Sequence, residues 1–85
     1  MKKGDLVKRV RFGIENVPGK RAEKALAESR QWWSDPAVVV RGPYEAVRPE
    51  TTSGGQQYSK VYRAIDVFYH GQLMSSLPAD DFNRI

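Results

Sequence analysis

The chain has 85 residues, of which 40% are apolar and 11% aromatic, so it can form one small packed domain over residues 1–85 and is not a disordered chain. It has no cysteine and one histidine, which excludes disulfides, thiolate metal sites and histidine clusters, and we expect no metal and no other cofactor. No apolar run is long enough for a signal peptide or a membrane span, so we expect a cytoplasmic protein with no membrane partner.

Charge is uneven along the chain. Residues 1–30 carry nine basic and four acidic side chains, whereas residues 31–85 carry five basic and six acidic ones. The excess of positive charge therefore lies in the first third, where it forms either an ordinary solvated surface or a face that binds nucleic acid.

The first predicted strand covers Gly4–Phe12. Apolar residues alternate along it, and this alternation favours Leu6, Val10 and Phe12 as the half-buried face. A turn containing Pro18-Gly19 follows.

The segment Lys20–Ser34 predicts the one α-helix, because good helix formers dominate it and Asp35-Pro36 ends it. One narrow stripe of this helix contains Ala22, Leu26, Ser29 and Trp33. A lone helix of this length is marginal in water, so we expect it to pack on the sheet with Trp33 as its anchor.

A second strand is predicted over Ala37–Val47, with Gly42-Pro43 marking a bend, a bulge or a sheet edge. An unpaired edge over 37–40 would support a dimer, so both a monomer and a homodimer are open. Residues 48–59 are polar and rich in glycine, which predicts a flexible loop.

The last third predicts a compact β unit. Lys60–Tyr69 is the strongest strand and is apolar on both faces, which is typical of a central, curved strand. His70-Gly71 makes a two-residue turn into a strand over Gln72–Leu77. A short 3₁₀ turn at 78–81 and a final strand at 82–85 complete a fold of five short strands.

Two segments resemble a known kind of protein. Lys3-Gly4-Asp5-Leu6-Val7 is similar to the opening of many small SH3-like barrels, and the runs Ile65–Gln72 and Leu77–Ile85 are similar to their closing hairpin, 3₁₀ turn and last strand. The resemblance is to small uncharacterised SH3-like barrel proteins common in tailed phages, marine ones included, and it covers less than half of the chain. It implies a mostly β, five-stranded SH3-like barrel with the helix at 20–34 as an insertion, located in the host cytoplasm or the virion.

Aromatic side chains are the first candidate site. Trp32 lies at the edge of the helical stripe, where it either covers the open end of the barrel or contacts a partner. Tyr44, Tyr58 and Tyr62 are either barrel wall or part of an aromatic groove for a peptide.

A basic set is the second candidate site. Basic groups beside an exposed tryptophan are typical of proteins that hold single-stranded nucleic acid. The set consists of Lys8, Arg9, Arg11, Lys20, Arg21, Lys24 and Arg30.

No pattern of catalytic residues is present. His70 occupies a turn, Asp80 and Asp81 diverge from each other, and Ser53-Gly54-Gly55 lacks the context of a phosphate-binding loop. We therefore expect no enzyme but a small interaction module with an unknown protein partner, which the resemblance implies is a phage accessory or structural protein. The alternative is a nucleic-acid-binding module that uses the basic N-terminal third.

Overall fold

The structure is a computed structural model that describes all residues from 1 to 85. The elements in chain order are β1 (Leu6–Arg9), α1 (Lys20–Trp32), β2 (Ala37–Thr51), β3 (Gln57–Tyr69), β4 (Gln72–Pro78), a 3₁₀ turn (Ala79–Asp81) and β5 (Phe82–Arg84).

The strands form one antiparallel sheet in the order β4-β3-β2-β1-β5. The prediction of a mostly β fold with five strands and one helix is thereby confirmed. In this sheet β4 and β5 are the two edges and do not pair with each other, so the sheet is open. The predicted edge at residues 37–40 is wrong, because Val38 pairs with β1 on one side and with β3 on the other.

The core lies on one face of the sheet, which we call the inner face. It is formed by side chains from every strand, from the 3₁₀ turn and from the end of the helix. Trp33 is 5% exposed and packs among them, which confirms its predicted role as the anchor of the helix. The buried members are Val7, Trp33, Ala37, Val39, Ile65, Val67, Tyr69, Ala79 and Phe82.

In β1 the predicted face is wrong. Val7 is fully buried opposite Ala37, while Leu6 and Val10 are exposed. The inner face of β1 consequently carries Arg9, whose guanidinium lies 5.0 Å from the ring centroid of Trp33 and 3.4 Å from the carboxylate of Asp81. Alternation predicted a strand over Gly4–Phe12, whereas the strand covers only Leu6–Arg9. Its faces were misassigned because an arginine can cover a core with its long stem and planar head.

Residues 48–59 also differ from the prediction. Instead of a long loop, β2 continues to Thr51 and β3 begins at Gln57, so that the connection is reduced to residues 52–56. Residues 45–51 and 57–63 pair only with each other and form a two-stranded ribbon, which we call the arm. The whole chain, including the arm, has a radius of gyration of 14.3 Å. A compact chain of this length would have ~12 Å, so the structure is extended.

β2 has a bulge at the point where the arm leaves the sheet. A bulge was one of the three outcomes predicted for Gly42-Pro43. Gly42 has a φ of +110°, and a Cβ at this position would lie 2.7 Å from the carbonyl oxygen of Ala64. Only glycine fits such an approach without a shift of the backbone. A second bulge in β4, at Ser76 with a φ of 58°, lets Met74 and Leu77 both contact the core.

The helix α1 is only lightly covered. Its predicted stripe is present, since Ala22, Leu26 and Ser29 are its half-buried residues, but no residue within it is fully buried. It is attached at its C-terminal end, where Trp33 is buried in the core and the Tyr69 hydroxyl donates to the Trp32 carbonyl oxygen. At 13 residues, rich in charge, it is neither long nor apolar enough to cross a membrane.

Candidate functional site

A stack of aromatic rings joins the end of α1 to the turn between β3 and β4. The Tyr69 ring lies parallel to Trp33, with 4.5 Å between centroids, and parallel to His70, with 4.0 Å between centroids. Trp32 meets all three rings edge-on at 4.8 to 5.5 Å. Such edge-on and stacked pairs are the favourable geometries for aromatic rings.

Polar contacts hold this stack in place. The Tyr69 hydroxyl donates to the Trp32 carbonyl oxygen and accepts from the Asp35 N–H at 3.2 Å. The Asp35 carboxylate in turn lies 2.9 Å from His70 Nε2. Trp32 remains 41% exposed, with a small open cleft on each side that Glu28 helps to line. The structure therefore presents Trp32 at the surface on a rigid support.

Two of the three candidate tyrosines share one polar network on the face of the sheet opposite the core, the outer face. Tyr44 donates to the Asp66 carboxylate and lies 3.3 Å from Ser76 Oγ, and Tyr62 donates to the Ser76 carbonyl at 2.9 Å. Tyr58 is separate from them, since it lies on the arm opposite Glu50. The tyrosines therefore do not line a common groove.

Asp66 is the one buried acidic residue. Burial by itself would raise its pKa, but hydrogen bonds from the Tyr44 hydroxyl and the Ser76 N–H, with the Arg41 guanidinium 4.0 Å away, outweigh burial and lower the pKa below its ordinary value. The carboxylate is therefore ionised at neutral pH and joins β2, β3 and β4 as a structural acceptor.

The predicted basic set is spread over several surfaces. Arg9 points into the core, whereas Lys8, the next residue along β1, is exposed on the outer face. Arg30 lies near Glu15, whose pKa is lowered by hydrogen bonds from the backbone of residues 12–15 and by this positive charge. On the helix Lys20, Arg21 and Lys24 are exposed in its N-terminal half, more than one turn from Arg30 near its C-terminal end.

A different basic group lines the largest cleft, of about 580 Å³, between the base of the arm and the 3₁₀ turn. Four cations and three acids line it: Arg11, Arg48, Lys60, Arg63, Glu45, Asp80 and Asp81. We call this site the basic cleft. Only Arg11 belongs to the set predicted from the sequence, because the other three cations come together only when residues 45–63 form a ribbon rather than a loop.

The outer face carries a site that the sequence analysis missed. A single row of large apolar side chains crosses the sheet, one from each of β1 to β4 and one from the residue that follows β5, and each is between 36% and 70% exposed. We call it the outer row. From edge to edge it contains Ile85, Leu6, Val38, Phe68 and Leu73.

The pairing of the strands establishes the continuity of the outer row. Leu6 lies opposite Val38, Val38 opposite Phe68, and Phe68 opposite Leu73. Ile85 joins the row because its N–H donates to the Leu6 carbonyl at 3.0 Å. Directly opposed residues in antiparallel strands have Cβ atoms ~5 Å apart, so the five side chains form one surface. The apolar residues on both faces of Lys60–Tyr69 were the only signal of it in the sequence.

Comparisons of this chain with protein-family models, with curated proteins and with solved structures gave no significant match. Functional inference therefore starts from the three surfaces described above: the exposed Trp32, the basic cleft and the outer row.

Proposed function

We propose that this protein is a non-enzymatic module that binds another protein, and that the outer row is its contact surface. The observation that supports this function is the continuous, exposed apolar row across β1 to β4 and Ile85. Exposed apolar patches of a few hundred Å² are a common mark of protein interaction sites. Trp32, held rigid and half-exposed on the aromatic stack, is a second contact residue of the kind enriched at interfaces.

We further propose that the fold is an SH3-like barrel in which α1 is an insertion. The proposal is supported by β1 lying between β2 and β5, and by one 3₁₀ turn that links β4 to β5. The role of a phage accessory or structural protein, in the host cytoplasm or the virion, rests on the sequence resemblance and on nothing else.

Site-specific photo-crosslinking in the cells that express the protein tests the interaction function. A benzophenone amino acid replaces Phe68 in one variant and Tyr58 in a matched control, because both are aromatic residues of β3 and both are 49% exposed. We expect discrete protein adducts from position 68 that position 58 does not give. Identical adduct patterns from the two positions, or none from position 68, would contradict the proposal.

A second candidate function is nucleic-acid binding, which the basic cleft favours. Its four cations outnumber its three acids, and the Tyr62 ring lies beside them for stacking. Binding to random single-stranded and duplex DNA is measured over a range of salt concentrations. If this function holds, affinity falls steeply with salt, and Lys60→Gln with Arg63→Gln reduces the slope. Absence of binding at ~50 mM salt would remove the candidate.

A further inference from the structure

We infer that the partner seated on the outer row is an amphipathic α-helix of another protein, about 13 residues long, with acidic residues beside its apolar stripe. This inference rests on the proposed interaction function and adds the shape and charge of the partner. It follows from the direction and length of the row, from the charges around it and from its area.

The direction of the row selects a helix. The row runs across the strands, so an extended peptide laid along it would find no free backbone groups in the interior of the sheet. Strands lie ~4.8 Å apart, so five of them extend over ~19 Å. A helix advances 5.4 Å per turn and covers ~19 Å in about 13 residues. The turns of a helix that crosses the strands are therefore spaced almost like the members of the row, so that each turn can place about one apolar side chain on one member.

The charges around the row favour an acidic partner. Lys8 lies two residues from Leu6 on the outer face of β1, and the Arg41 side chain, 68% exposed, lies beside the Asp66 network. The nearby acids are less available. Asp66 is buried, hydrogen-bonded and paired with Arg41, so Lys8 is the unpaired charge here. Asp35 lies with Tyr69 and His70 rather than on the outer face.

Asp5 is not on the outer face, because its backbone pairs with the inner-face residue Val39, and its carboxylate accepts the Lys2 backbone N–H at 2.9 Å. Lys2 and Lys3 are exposed just before β1, so exposed cations outnumber exposed acids at the start of this strand. Glutamates or aspartates on the flanks of the partner helix would complement these cations, whereas lysines there would be repelled.

The same observations disfavour a second copy of this chain as the occupant. With about half of each of five large side chains exposed, the row offers on the order of 400 Å² of apolar surface, and a stable interface buries ~800 Å² on each partner. Two copies meeting through their rows would also place an exposed Lys8 on both sides of the contact, with no acid of the outer face free to pair with it. The area suits a single helix, and the charge suits one of opposite sign.

Designed peptides test the inference directly. The probe is a helical peptide with leucines at i, i+4, i+7 and i+11 and glutamates on both flanks, and its control has a lysine in place of every glutamate. Binding to the full chain is followed by amide chemical shifts and by fluorescence anisotropy. We expect the glutamate peptide to bind at least roughly tenfold more tightly than the lysine peptide. The largest shifts should lie at Leu6, Val38, Phe68 and Leu73.

Variants of the row complete the test. Phe68→Ser with Leu73→Ser should weaken binding of the glutamate peptide roughly tenfold or more, while Val61→Ser, an equally exposed apolar position on the arm, should leave it unchanged. Circular dichroism confirms that each variant is folded.

Several results would overturn the inference. They are equal affinity for the two peptides, shifts confined to another surface, and no binding of either peptide. If any of these results occurs while position 68 still gives crosslinks, the proposed interaction function is retained. Only the inference that the partner is an acidic helix is then rejected. Self-association in sedimentation that Phe68→Ser abolishes would assign the row to a second copy instead.

Discussion

The two faces of the central sheet carry almost the same chemistry but have opposite environments. Val7, Val39 and Tyr69 on the inner face are almost fully buried, while Leu6, Val38 and Phe68, their neighbours in sequence, are between about a third and a half exposed. What differs is the cover. Trp33, just after α1, and the 3₁₀ turn lie over the inner face. Hydrophobicity made both faces suitable for burial, and the elements outside the sheet determined which face became the core.

The substitution that we expect to lower stability most is in the core on the inner face. Trp33→Ala removes the ring that stacks on Tyr69 and packs against Phe82, and should cost about 3–5 kcal/mol of stability. Because small domains have little stability in reserve, we expect this variant to be largely unfolded. Urea unfolding followed by circular dichroism measures the effect.

Trp32→Ala is the control, because this ring is 41% exposed and contributes mainly edge-on contacts. It should cost about 1 kcal/mol. An unfolded Trp32→Ala beside a stable Trp33→Ala would contradict the assignment of core and surface.

The next prediction concerns the backbone of β2 at Gly42, where this strand passes close to β3. Gly42→Ala combines a φ of +110° with a contact of 2.7 Å to the Ala64 carbonyl, so we expect a loss of about 2–4 kcal/mol. Gly71→Ala, with a φ of +76° and open space around it, should cost only about 1–2 kcal/mol. Thermal unfolding of both variants compares them, and equal losses would show that the close approach is not important.

Asp66 is an exception on the outer face, because it is charged and buried whereas the apolar residues of the outer row are exposed. Asp66→Ala leaves the Tyr44 hydroxyl and the Ser76 N–H without their acceptor and should cost about 1–3 kcal/mol at neutral pH. Because its pKa is lower in the folded than in the unfolded state, its contribution is present above the unfolded pKa, ~3.9, and is lost as pH falls through the folded pKa.

Urea unfolding of the wild type and of Asp66→Asn between neutral pH and strongly acidic pH measures this contribution. The difference in unfolding free energy should shrink only on the acid side of pH ~3.9. A difference that stays constant over the whole range would show that the ionised carboxylate does not stabilise the fold.

The smallest expected effect on stability belongs to the outer row. Phe68→Ser and Leu73→Ser each replace a side chain that is half-exposed or more, and should change the free energy of unfolding by less than about 1 kcal/mol. The matched inner substitution, Val67→Ser, should cost several times as much, because Val67 is fully buried. Similar losses on the two faces would mean that the outer row is covered in the free protein.

The sequence predicted most elements because their signals are local. The helix, the His70-Gly71 turn, the 3₁₀ turn and the last strand each depend on residues that are close together in the chain, and each lies within two residues of the predicted bounds. Closure of the barrel depends on long-range pairing, and the structure has an open sheet.

What the sequence did not predict depends on tertiary contacts. Arg9 takes an inner position because Trp33 and Asp81, distant in sequence, accept it there. Residues 48–51 and 57–59 form strands although their composition favours a loop, because the register of the hairpin continues through them.

The candidate sites follow the same rule. Trp32 could be singled out because its helical spacing places it at the edge of the buried stripe, and the structure leaves it 41% exposed. The outer row and the basic cleft are assembled from strands that meet only in the folded sheet, and no spacing along the chain reports them.

The proposed function requires that the outer row is exposed to solvent in the free protein while the inner face is buried. Solvent paramagnetic relaxation of methyl groups, measured with a soluble gadolinium chelate at low protein concentration, tests this directly. We predict strong relaxation at Leu6, Val38 and Leu73, and little at Val39 and Val67. Protection of the Leu6, Val38 and Leu73 methyls in the free protein, or relaxation at the inner methyls as strong as theirs, would contradict it.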